Sequence, residues 1–176
     1  MSKFISKQSV AIWYALTALL ATFIVGQVIL WCFPDGKSTG ASLLFILMNL
    51  IPLMMAAIFS LVLSEIKSFG DFFKKVFFQK ESHLSWILAF IIPVIYYGIS
   101  ILLMNVRFTG NSLLTFVLYR PWTFLYGGLE EVGWRWFLQD HLYFSKHFIT
   151  KMMVLSIGWC LCHIPIYQFP WIRANH

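Results

Sequence analysis

Between Val10 and Phe33 the chain runs for 24 residues without a charged side chain. An α-helix rises about 1.5 Å per residue and bilayer hydrocarbon is about 30 Å thick, so a run of this length can cross it. Predominantly apolar runs of similar length recur at Leu43–Leu63, Trp86–Asn105, Pro121–Gln139 and Met152–Trp171. Composition agrees: 60% of the 176 residues are hydrophobic and 11% are charged, where a soluble domain carries about 25% charged residues. A cytosolic globule, a disordered chain and a disulfide-rich secreted module are thereby excluded. The expected fold is all-α, a polytopic membrane helix bundle of about five transmembrane helices plus an interfacial helix. Length predicts a single membrane domain over 1–176.

The first run is too long for a signal-peptide core, and no small-x-small cleavage site follows it, so it reads as a retained helix. Pro34-Asp35-Gly36 breaks the chain as a tight turn. The stretch from Glu65 to His83 carries Lys67, Lys74, Lys75 and Lys80 beside the pairs Phe72-Phe73 and Phe77-Phe78. Phenylalanines at helical spacing next to lysines predict an amphipathic helix lying in the membrane interface. Arg120-Pro121 interrupts the fourth run. Proline suits the first position of a helix, so the main span is placed from Pro121 to Gln139, with Asn111–Tyr119 as a short preceding helix or re-entrant piece.

Net charge is +6, but the 13 basic residues are spread through short loops, which argues against a nucleic-acid surface. With the N-terminus inside, the inner segments hold Lys3, Lys7, the four lysines of the long loop, Lys146 and Lys151, eight in all. The outer segments hold Lys37, Arg107 and Arg173. Eight against three predicts a multi-pass protein of the cell membrane with a cytoplasmic N-terminus. Cys32, Cys160 and Cys162 make no paired framework and read as small apolar fillers.

The chain has four glutamates, and two of them, Glu130 and Glu131, stand together inside the fourth apolar run. An acidic residue at mid-bilayer costs roughly 2.5–3.5 kcal/mol on insertion scales, so this pair needs compensation. Arg135 follows Glu131 by four residues and shares its helix face in the favourable acid-before-base order. Glu130 is rotated by about 100° and its own i+4 neighbour is Trp134, so it has no such mate. One carboxylate is thus structurally paired while the other is available for general-base work on water. A polar clamp between helices is the competing reading of the same pattern.

On the fifth run, His163 follows Trp159 by four residues and precedes Pro165. A membrane histidine serves either as a helix–helix hydrogen-bonding group or as a functional one. Glu130 lies 11 residues before His141, near the inner end of one span, and His163 lies 12 residues after Lys151, near the inner end of the next. At about 1.5 Å per residue both sit roughly 17–18 Å deep, so antiparallel packing predicts that they meet. Gly127, Gly128, Gly133 and Gly158 surround these positions and are expected to let backbones approach. His83, His141 and His147 fall beside loops and read as solvated interface residues.

Glu130-Glu131-Val132-Gly133-Trp134-Arg135, followed one helix later by Trp159-x-x-x-His163, resembles the CPBP intramembrane protease family. That family includes the type II CAAX prenyl endopeptidase and the bacterial Abi and bacteriocin-immunity proteins. The resemblance covers about 119–170, with Trp159 where phenylalanine is usual. It implies an endopeptidase that hydrolyses a peptide or lipidated peptide at the bilayer. Glu130 and His163 would activate a water, directly or as ligands of a bound zinc, supported by Glu131, Arg135 and Trp159.

The family also supplies a second histidine and an asparagine from later helices, and no His-x-x-x-Asn occurs here. His176 falls beyond the fifth span, on the opposite side of the membrane. Three expectations follow: a piece of a longer reading frame, a homo-oligomer or partner subunit that lends the missing groups, or a chain that binds peptides without cutting them. The last is the rival function, a non-catalytic membrane interaction or bacteriocin-immunity protein.

Overall fold

The computed structural model describes residues 7–36, 38–80, 82–104, 113–142 and 147–173. Lys3, Lys37, Arg107, Lys146 and His176, together with Asn105 and Asn111, lie outside the described residues. Among those described, every regular element is helical. In order they are α1 (Lys7–Cys32), α2 (Thr39–Val62), α3 (Phe69–Phe77), α4 (His83–Met104) and α5 (Leu113–Thr123). Two π-helical segments follow (Phe124–Gly128 and Val132–Leu138), then the single turn α6 (Gln139–His141), α7 (Phe148–Gln168) and α8 (Pro170–Arg173).

Three stretches, Ser9–Cys32, Thr39–Val62 and Phe148–Gln168, are long and apolar enough to cross a membrane. The other two expected spans, α4 and the Pro121–Gln139 segment, are not among these three. Helix α4 runs for 22 largely apolar residues, and Ile91, Ile92, Val94 and Ile95, which point to successive sides of it, are all exposed. The Pro121–Gln139 segment is not one regular helix. Helix α5 passes through Pro121 instead of starting there. Proline inside a helix leaves the carbonyl four residues earlier without its donor, and just beyond this point the helix widens. The Leu129 N–H donates to the Phe124 carbonyl, five residues back, at 3.1 Å. The α-helical register assumed from sequence therefore does not run unbroken to Glu130.

Helices α1, α2 and α7 pack together, and the second π-helical segment lies on α2. Their shared core is aromatic. Tyr14 of α1 is fully buried, with ring centroids 4.8 Å from Phe137, 5.8 Å from Phe59 and 6.2 Å from Trp134. Its hydroxyl donates to the Pro52 carbonyl of α2 at 2.9 Å. Gly133 sits against that same carbonyl and the same hydroxyl, so a Cβ there would overlap both. One tyrosine, one carbonyl and one glycine thus join α1, α2 and the segment that carries the paired glutamates. At the other end, Ile29, Met48 and Phe169 form a smaller core, and Gly36 takes a positive φ of 62° in the expected turn after Pro34.

Helix α3 is shorter than the amphipathic stretch anticipated from Glu65 to His83. The Ser68 hydroxyl accepts the Asp71 N–H at 3.1 Å and caps its start. Before it, Ser64 turns the chain through a left-handed conformation with φ of 59°. The Lys75 ammonium donates to the Glu65 carbonyl at 2.6 Å and ties the helix to this turn. Phe72 is buried against Trp136, with centroids 5.3 Å apart, while Phe69, Phe73 and Phe78 stay exposed.

The expected contribution of the four glycines narrows accordingly. A side chain on Gly127 would meet nothing, and one on Gly128 would meet only Phe124 of its own helix. Gly158 makes room for the Trp134 ring, and Gly133 is the position of close backbone approach. Overpacking a tight site costs about 1–3 kcal/mol. Gly133→Ala is therefore expected to lower the melting temperature in detergent by several degrees, while Gly127→Ala leaves it within error. Equal melting curves for the two variants would contradict the junction.

Candidate functional site

Glu130 occupies the short α-helical link between the two π-helical segments and is 5% exposed. π-Helical turns inside helices frequently mark functional sites, because the extra residue per turn shifts side chains out of the regular register. Here the link presents Glu130 toward α7. Its Oε1 lies 3.5 Å from Nε2 of His163. Two residues from different helices, 33 positions apart in sequence, thus meet where Glu130 is buried and His163 is partly buried.

Local backbone geometry fixes the orientation of His163. Its Nδ1 lies 2.8 Å from the Trp159 carbonyl one turn earlier. A carbonyl oxygen only accepts, so Nδ1 carries the proton and Nε2 is left as the atom that deals with Glu130. The Trp159 ring covers the imidazole at a centroid distance of 3.8 Å. Its indole N–H also borders the Glu130 carboxyl, though outside strict hydrogen-bond geometry. Trp159 therefore touches both partners, by its ring and by its backbone. Behind the pair, the Cys162 thiol donates to the Thr22 hydroxyl of α1 at 3.5 Å, which gives a buried cysteine a polar contact that a simple apolar filler would not make.

Glu131 pairs with Arg135 through Nε and Oε2. The spacing anticipated this contact, but its setting differs from the one expected. Arg135 is 74% exposed at its side chain and Glu131 is 32% exposed, so the pair lies at the mouth of a cleft and not in the core. Exposed ion pairs contribute little stability, which makes this one a weak clamp. The cleft, about 360 Å³, opens between the second π-helical segment and α7, and Gln139, Ser156, Trp159 and Cys160 share its lining with the pair. Its volume is that of a small-ligand pocket.

His141 departs from its reading as a solvated interface residue. It is 7% exposed, and its Nδ1 lies 2.8 Å from the Phe137 carbonyl while Nε2 lies 2.9 Å from Glu65 Oε1. The ring stacks on Phe137 at 4.2 Å. Phe137-x-x-x-His141 thus repeats the arrangement of Trp159-x-x-x-His163: an aromatic ring beneath the imidazole, its carbonyl on Nδ1, and a glutamate at Nε2. The shared spacing was visible in the sequence. Partner Glu65 was not, because it comes from the turn after α2, 76 residues away.

Glu130 and His163 are the two ligands that the site offers a metal. Among the described residues no three His, Cys, Asp or Glu side chains converge to hold one. Catalytic zinc ordinarily takes three protein ligands and a water, so the described residues do not make up a zinc centre. Comparison with known proteins returns no match: no family model fits the chain, and no curated protein or solved structure is similar to it.

The His163 geometry is open to direct measurement. Nitrogen-15 NMR of histidine-labelled protein is expected to show Nδ1 of His163 bearing hydrogen in the neutral ring, with Trp159→Phe leaving the tautomer unchanged. A neutral His163 protonated at Nε2 would contradict the bond to the Trp159 carbonyl.

Proposed function

We propose that this chain is an intramembrane endopeptidase of the CPBP type, in which Glu130 acts as general base on a water and His163 exchanges the proton with it. The single observation that carries this reading is the 3.5 Å approach of Glu130 Oε1 to His163 Nε2, because it joins the two sequence motifs of the resemblance in one buried place. Hydrogen-bond reach is about 2.6–3.2 Å, so at 3.5 Å the pair exchanges a proton through a water or after the small approach that substrate binding brings. The Trp159 carbonyl keeps Nδ1 occupied, so His163 can take or return a proton only through Nε2. The substrate's seat in this reading is the cleft beside Trp159, with Arg135 and Ser156 as polar contacts for a short stretch of peptide backbone; Glu130 and His163 adjoin the cleft through Trp159 without lining it.

In this reading the chain belongs to the cell membrane with the N-terminus on the cytoplasmic side, and the apolar helices Ser9–Cys32, Thr39–Val62 and Phe148–Gln168 anchor it. α4 and the α5–α6 stretch complete a bundle of five. The substrate is a peptide or lipidated peptide presented from the inner half of the bilayer. Groups for the developing oxyanion come from this chain's cleft or from a second subunit.

A second reading has its own support. The Glu131–Arg135 pair lies open at the cleft mouth, a placement suited to holding a peptide without cutting it, as an immunity or interaction protein would. Glu130→Gln distinguishes the two, since it keeps the shape and removes the base. For the protease, cleavage of a membrane-anchored peptide is expected to fall by about 10²–10⁴-fold with the protein still folded, whereas Arg135→Ala leaves the chemical step in place and weakens substrate binding. Unchanged cleavage or phenotype in Glu130→Gln, with loss in Arg135→Ala, would overturn the hydrolytic reading in favour of binding.

A further inference from the structure

A second and larger cavity, about 530 Å³, lies on the other side of the glutamate-bearing segment, between α2, α3 and the first π-helical segment. Its floor is Ala57, Phe72 and Leu129, all buried, and its walls include Met54, Phe73 and Phe124, all exposed. Every lining residue is apolar. Among the described residues no other element covers it, and α4, which follows α3 directly, leaves its own described apolar side chains open. A groove of this size and character accommodates a hydrocarbon chain.

The rim says which kind of hydrocarbon chain. Lys74 and Lys75 project from the half of α3 opposite its phenylalanines, and Lys67 and Lys80 flank the helix. Lys75 is engaged by the Glu65 carbonyl and by Asp71 at 3.7 Å. Lys67, Lys74 and Lys80 are exposed. One acidic side chain, Asp71, sits on the helix itself, and it is occupied by Lys75 and by the Lys67 backbone N–H at 3.1 Å. Three exposed lysines outside that ion pair thus stand on or beside the helix that walls the groove. From this we infer that the groove is a binding site for one anionic phospholipid, with an acyl chain between α2, α3 and Phe124 and the headgroup drawn by the positive charge of the lysines on and beside α3.

This assignment rests on the membrane placement of the bundle and is independent of hydrolysis. Phe72 also contacts Trp136 in the second π-helical segment, and Leu129 precedes Glu130. A lipid chain seated here therefore braces the underside of the segment that carries the carboxylates.

The test uses the full chain in phosphatidylcholine nanodiscs doped with a photoreactive acyl-chain phosphatidylglycerol, or with phosphatidylcholine bearing the same chain. Labelled residues are mapped by mass spectrometry, with Leu20 and Phe23 on the exposed face of α1 as reference for bulk lipid. The expected result is labelling of Met54, Phe73 and Phe124 by the anionic probe well above the reference. The zwitterionic probe should label them at the reference level. Removing surface lysines is expected to reduce the excess by about fivefold for each one, so the triple variant Lys67→Gln, Lys74→Gln, Lys80→Gln should label like bulk lipid. Groove labelling that ignores the headgroup, or that survives the triple variant, overturns the site. Absence of labelling at both groove and reference overturns the membrane placement as well.

Discussion

A carboxyl group enclosed in an apolar helix bundle has to be met by another polar group, because an unpaired buried charge is among the most costly features a fold can contain. In this chain Glu130 is met by His163 across two helices. Much of the surrounding architecture serves that meeting. Trp159 lends its carbonyl to orient the imidazole and its ring to cover it. The junction of Tyr14, Pro52 and Gly133 draws the glutamate-bearing segment against α1 and α2. Remove the junction, and Glu130 loses the backing that faces it toward α7.

The helical class and the positions of α1, α2 and α7 were legible in the sequence, since long uncharged runs admit few alternatives. So was the pairing of Glu131 with Arg135, which depends only on local spacing. The residue count from the shared connection to Glu130 and to His163 also anticipated their approach, because two antiparallel helices joined by a short connection must align the ends they share. What hydropathy could not convey was the widening of the helix around Glu130. Pro121 looked like a helix start, yet the helix passes through it and widens a few residues later, where the Leu129 N–H bonds five residues back. A proline in sequence announces a defect in the hydrogen-bond ladder and does not say how the ladder repairs itself.

The histidines show a second limit. His141 stands among loop residues in the sequence, and its burial depends on Glu65, a residue far along the chain. Local pattern identified Trp159 beneath His163, and the same pattern applied to Phe137 and His141 points to a buried, oriented imidazole there too. Neither pattern names the acid that faces Nε2. Chain topology supplies it, in one case from the adjacent helix and in the other from the turn between α2 and α3. Because Lys75 bonds to the Glu65 carbonyl, that turn connects the lysines of α3 to the base of the aromatic core.

The two π-helical segments that bracket Glu130 and Glu131 hold surplus residues that a regular helix would expel. The angular phase of the carboxylates about the helix axis is consequently a matter of chain length on either side, independent of which side chains are present. Deleting a residue from Phe124–Gly128 would let that part return to ordinary pitch with little change of phase, whereas deleting one from the regular turns of α5 would swing everything on one side of the cut by about 100°. Glu130 would then be turned away from His163 with its composition intact. For a chain built this way, insertions and deletions, more than substitutions, are the events that create or abolish the site.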